Sequence, residues 1–133
     1  MKNTIYDTKG FCGPKLPFAP LVTAQGKLVF VSGQGPIEPT EKEIVPTRGS
    51  LAEQFHLTMK NISLHLEAVG CGMQDVVMVR VFLSDNSKAN WQKMTEEFEK
   101  WFPDRSRRPA RTTIGCQLVD IDVEIDCVAV IPE

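Results

Sequence analysis

Apolar residues recur along this chain with two periods, and the switches between them mark out the elements. Over residues 50–69, Leu51, Phe55, Met59, Ile62, Leu66 and Val69 return at steps of three and four, the single apolar face of an amphipathic helix. Ser50 stands at its N-cap with Glu53 as capping-box partner, and Gly70 at its far end as a C-terminal stop. A second helix is predicted over residues 88–102, with Trp91, Met94, Phe98 and Trp101 or Phe102 on its apolar face. Asp85 or Ser87 can cap it, and Pro103 ends it.

The remaining apolar segments have strand character. Residues 76–83 are almost unbroken in Val, Met, Phe and Leu, interrupted only by Arg80, as suits a central strand buried on both faces. In residues 123–130, Val123, Ile125, Cys127 and Val128 are expected in the core, with Glu124 and Asp126 pointing the other way. Residues 21–24 and 28–32 flank Gln25-Gly26-Lys27, which predicts a β-hairpin with glycine where positive φ is needed. Residues 3–7 suit a short edge strand, and residues 10–20 and 38–49 suit loops. Pro109 lacks an N–H and biases its predecessor toward extended geometry, so Arg111 heads a strand rather than a helix. The order is β-β-β-α-β-α-β-β: one α+β domain, a mixed sheet with two helices packed on one face. The other face, which carries residues such as Glu124 and the strand running from Arg111, must then meet water or another subunit.

Composition narrows the function. The 133 residues suffice for one core without a metal or disulfide staple, and 42% are hydrophobic. Fifteen basic against 17 acidic residues give a net charge of −2, which argues against coating nucleic acid or an anionic membrane. Arg105, Arg107, Arg108 and Arg111 cluster without interleaved aromatics, so no base-stacking platform is indicated. There is no signal-peptide core and no run of membrane-spanning length, so a cytoplasmic protein is expected. Cys12, Cys71, Cys116 and Cys127 form no CxxC pair, and with only His56 and His65 to add, no metal-ligand spacing appears.

Three stretches could carry chemistry. Arg111 offers a rigid fork of donors for a planar carboxylate or phosphate, although a surface salt bridge would use the same residue. Ser32-Gly33-Gln34-Gly35, just past a strand, lets the backbone approach a ligand, or simply makes a tight turn. Glu124 is either a reacting carboxylate or a salt-bridged interface residue. Both histidines lie off the apolar stripe with no carboxylate at i±4, as solvated helix residues without a catalytic role would.

Val31-Ser32-Gly33-Gln34, Pro109-Ala110-Arg111-Thr112-Thr113 and residues 123–129 together resemble, over nearly the whole chain, the Rid family of reactive-intermediate deaminases, also called YjgF/UK114. The resemblance implies a homotrimer of chorismate-mutase-like domains with sites between subunits. It implies hydrolysis of 2-enamino and 2-imino acids to 2-oxo acids and ammonia without metal or organic cofactor. Arg111 would grip the substrate carboxylate, Thr113 would contribute backbone groups where the family usually has cysteine, Ser32 and Gly33 would line the cleft, and Glu124 would hold the attacking water.

This chain also departs from that pattern. Phe18 stands where many members have a hydroxylated aromatic, Thr95 where familiar members have asparagine, and residues 115–120 lack the usual leucine-proline turn. These changes suggest a different or larger 2-imino acid, in the manner of the aminomuconate deaminases. They also keep a second class in view, a regulatory protein that binds 2-oxo acids without turnover. A ribonuclease or translation inhibitor, as some members have been described, fits the acidic balance less well.

Overall fold

The computed structural model describes residues 1–11, 15–38 and 49–132. Cys12 and residues 39–48 of the expected second loop lie outside them.

Helix α1, Leu51–Glu67, begins where its sequence places it. The Ser50 hydroxyl accepts from the Glu53 N–H at 3.1 Å and the Glu53 carboxylate accepts from the Ser50 N–H at 3.2 Å, so both partners of the capping box are engaged. At the other end the Gly70 N–H donates to the Glu67 carbonyl and the Cys71 N–H to the Leu66 carbonyl. This is a Schellman closure around Gly70 at φ 77°. Val69 lies beyond the last helical turn and is exposed rather than part of the buried stripe. Helix α2, Lys88–Trp101, is capped by Ser87, whose hydroxyl accepts from the Asn90 N–H at 3.2 Å.

Among the described residues six strands make two sheets. β1 (Lys2–Ile5) pairs antiparallel with β2 (Leu21–Ala24). β3 (Leu28–Gln34), β4 (Val76–Leu83), β5 (Ala110–Gly115) and β6 (Val123–Val130) form a mixed sheet in the order β3-β6-β4-β5. The β4–β5 pair is parallel, because α2 carries the chain back across the sheet between them. Among the described residues no helix is long and apolar enough to cross a membrane.

Both helices pack on one face of the large sheet. Phe55, Met59, Ile62 and Leu66 of α1 and Met94 and Phe98 of α2 meet Val79, Val81, Leu83, Val123 and Ile125, all at 1% exposure or less. Each such side chain contributes about 1.5–3 kcal/mol by leaving water. Truncating Phe98 to alanine would cost about 3–5 kcal/mol.

Three strand expectations are corrected. The hairpin does not form: Gly26 turns at φ 132° as required, but β2 pairs with β1 and β3 with β6, at Phe30↔Val128. β4 is central but buried only toward the helices; Met78 and Phe82 are half-buried and Arg80 exposed on the far side. Val128 faces the open side, half-buried, and Ala129 takes the core position, because the strict two-residue alternation of β6 leaves no room for adjacent inward residues.

Candidate active site

The chain around Arg111 is built to carry its side chain inward. Arg111 pairs with the fully buried Val79 in the parallel β4–β5 register, so, contrary to the expectation that it shares the open face with Glu124, it points to the helix side, under α2. There Trp91, Thr95 and Phe98 present the i, i+4, i+7 face of that helix. On the outer side of β5 the Ala19 N–H donates to the Pro109 carbonyl at 3.0 Å and Ala19 bridges Ala110. That tie lays the loop alongside the strand and brings Phe18 over the guanidinium.

The result is a cation boxed by aromatic rings, with its centre 4.7 Å from the Phe18 centroid, 5.2 Å from Trp91 and 4.8 Å from Phe98. Arg111 is only 6% exposed. Its Nη2 donates to the Thr95 hydroxyl at 3.1 Å, while Nε and Nη1 are buried with no hydrogen-bond partner. Burial pushes its pKa down from 12.5 to about 10, partly opposed by Glu99, so it remains charged at neutral pH. A buried donor left unmade costs about 1–3 kcal/mol, more when charged. A planar anion on the Nε/Nη1 side would relieve that cost.

Thr113, two residues on and half-buried, follows Arg111 on the same side of β5, paired with Val81. Phe18, Thr95, Arg111 and Thr113 therefore form one group. Trp91 and Phe98, read from the sequence only as apolar helix residues, belong to it as well; their spacing around Thr95 was the available signal.

Ser32, Gly33 and Glu124 form a second group elsewhere. Glu124 pairs with Phe82 across the β4–β6 register and lies on the open face. Its carboxylate rests directly on Gly33: a Cβ added there would fall 2.8 Å from Oε2. The missing side chain, rather than any unusual φ, is why glycine is needed at this position. Ser32 is exposed beside it.

Within one chain the two groups do not meet. Glu124 is two strands from β5, level with Ile114 and three residues along from Arg111, a separation of roughly 14 Å from standard strand spacing and rise, and the side chains leave opposite faces of the sheet. Cys71 and Cys127 are buried in the core, with burial pushing the Cys127 thiol up to about 12, so neither is a nucleophile. His56 packs on Trp101, with ring centroids 5.4 Å apart. His65 faces the Gln34 amide at 3.1 Å. Among the described residues no three metal-ligating side chains converge.

A two-helix mixed sheet with a buried, half-satisfied arginine on its edge strand defines a domain of the YjgF/L-PSP fold. Residues 12–131 match the family model described as Endoribonuclease L-PSP, and the chain belongs to that family, the Rid proteins. A RutC family protein of Pyrococcus horikoshii is 32% identical over 131 residues, covering 97% of this chain and 98% of that one. The Rid family protein YyfB of Yersinia pestis, of unknown function, shares the fold at TM-score 0.84 and 20% identity, over 98% of both chains. E. coli TdcF, solved with bound serine, is 25% identical with TM-score 0.69, over 83% of this chain and 85% of that one.

Proposed function

We propose that this protein is a hydrolytic deaminase of 2-imino and 2-enamino acids, working in clefts that a second copy completes within a homotrimer. The observation that carries the proposal is the Arg111 guanidinium, buried and charged with Nε and Nη1 unpartnered. Such a group is suited to a small carboxylate. The serine bound to E. coli TdcF is a ligand with that carboxylate.

The assembly is supported by the separation of the two groups and by the open sheet face. Phe30 is 74% exposed there, and Val128, Met78 and the Arg80–Asp126 pair line a depression of about 410 Å³. A neighbouring copy docked on this face would cover its apolar surface and bring one chain's Ser32, Gly33 and Glu124 toward another chain's Arg111.

The chemistry asks little of the protein. With the carboxylate held on Arg111, water attacks the imine carbon, a C–O bond forms, and the C=N bond becomes single. The water's proton passes to Glu124, which returns it to nitrogen. The hydroxyl proton of the resulting carbinolamine follows by the same route to nitrogen, and the C–N bond breaks as the freed oxygen pair closes to C=O, giving a 2-oxo acid and ammonia for one water consumed. An enamine enters the same path once protonated at its β-carbon. Positioning supplies several kcal/mol of the barrier, and the Glu124 base contributes about 10²–10⁴-fold.

The test is ammonia release from an imino acid generated in situ by an amino-acid dehydratase or oxidase, timed against spontaneous hydrolysis. The expected result is acceleration in wild type that is lost in Arg111→Ala while the oligomer persists. Binding of the 2-oxo acid without acceleration would make the protein a carboxylate sensor instead. RNA cleavage by protein lacking Arg111 would place its activity elsewhere.

A further inference from the structure

The Ser32–Gly33 segment is held by something other than the sheet. The β3–β6 register shifts between Val31 and Gln34, so both residues leave the ladder where Glu124 rests on Gly33. A bulge re-aims backbone but gives up the ladder bonds that would fix it.

Helix α1 supplies the replacement. Asn61, 8% exposed, donates both amide hydrogens of Nδ2, to the Gly35 carbonyl at 3.0 Å and the Ile37 carbonyl at 2.7 Å. One turn later on the same helix face, His65 Nε2 faces Gln34 Oε1 at 3.1 Å, and Gln34 Nε2 donates to the Ser32 carbonyl at 2.9 Å. Since the Gln34 nitrogen is committed to Ser32, its oxygen can only accept. His65 must therefore donate from Nε2, which both the Nε2–H tautomer and the imidazolium can do. Between α1 and the segment lies a cavity of about 420 Å³ bordered by Gly33, Gln34, Ile37, Asn61 and His65. The segment has room to drift into it if released.

We propose that His65 is a positioning residue: through Gln34 it fixes the Ser32 carbonyl, and with it the Gly33 backbone on which the Glu124 carboxylate lies. Its catalytic consequence rests on the deaminase reading; its structural content does not. His65 is exposed on the helix surface, so replacing it opens no core void, and leucine keeps the helix propensity of the site.

The experiment compares His65→Leu and His65→Gln with wild type in amide hydrogen exchange at Gly33, Gln34 and Gly35, in kcat and KM for an imino acid, and in Tm. His65→Leu should speed exchange at these amides and lower kcat about two- to tenfold, the worth of one hydrogen bond, with KM and Tm unchanged. His65→Gln, which can still donate to Gln34, should restore both. Unchanged exchange in His65→Leu, or equal acceleration in both variants, would overturn the clamp. A shift in KM instead of kcat would also overturn it, by placing the imidazole on the substrate. Absence of wild-type turnover would refute the deaminase reading, while the exchange comparison would still decide the clamp.

Discussion

Replacing Arg111 with methionine should make the ligand-free protein more stable while removing its function. The lowering of the Arg111 pKa from 12.5 to about 10 corresponds to about 3 kcal/mol of penalty on the charged form. The three rings at 4.7–5.2 Å share one guanidinium and return about half of this, at about 0.5 kcal/mol each, the lower end for cation–π contact. Methionine keeps the packing against Phe18, Trp91 and Phe98 and brings no orphaned donors, so a net gain of about 1–2 kcal/mol is expected. For a chain of this size that raises Tm by roughly 4–8 °C. The assay is thermal and urea unfolding without ligand, repeated in an Glu124→Gln background so that attraction between Arg111 and Glu124 of neighbouring copies drops out. A 2-oxo acid at a hundredfold its Kd should stabilise wild type by about 2.7 kcal/mol and leave the variant unchanged. If ligand-free Arg111→Met melts below wild type in both backgrounds, the guanidinium is already satisfied and the case for a carboxylate clamp fails.

Glu124→Gln should lower kcat by about 10²-fold or more with little change in ligand affinity; steady-state kinetics beside calorimetry would separate the two, and the opposite pattern would make Glu124 a binding residue. Gly33→Ala would set a Cβ 2.8 Å from Oε2 of Glu124, so a several-fold loss of turnover is expected with Tm nearly unchanged, and full activity would show that the carboxylate need not lie there. Lys2 is held at a pKa of about 8, chiefly by burial and then by Arg107, against an ordinary 10.5. The unfolded chain therefore binds more protons between pH 8 and 10.5, so wild type should gain stability relative to Lys2→Met as pH rises through that window; parallel urea midpoints across it would contradict this.

Local signals in the sequence located the helices well. Ser50, Glu53, Ser87 and Gly70 act through neighbours within a few residues, and the structure uses each as its type suggests. The hairpin failed because pairing partners are chosen globally. The Gln25 N–H is taken by Met1 and the Lys27 carbonyl by Ile131, so the two arms leave Gly26 for different sheets. The apolar run of β4, broken only at Arg80, says that both its faces are largely apolar, not that this chain covers both. The site residues are legible one by one, but the sequence reading puts the strand of Arg111 on the open face with Glu124, because the face of Arg111 relative to Glu124 depends on the register of three strands. Trp91 and Phe98 were visible only as core-facing positions, because an aromatic that flanks a cation has the same helical spacing as one that fills a core.

The placement of Arg111 and Glu124 on opposite faces of one sheet has a genetic consequence under the proposed assembly. Two defective alleles, one lost at the arginine and one at the glutamate, should rescue each other when co-expressed, since a mixed oligomer rebuilds intact clefts. Random mixing of equal amounts restores about a quarter of them. Two alleles lost at the same residue would never complement, however they are combined.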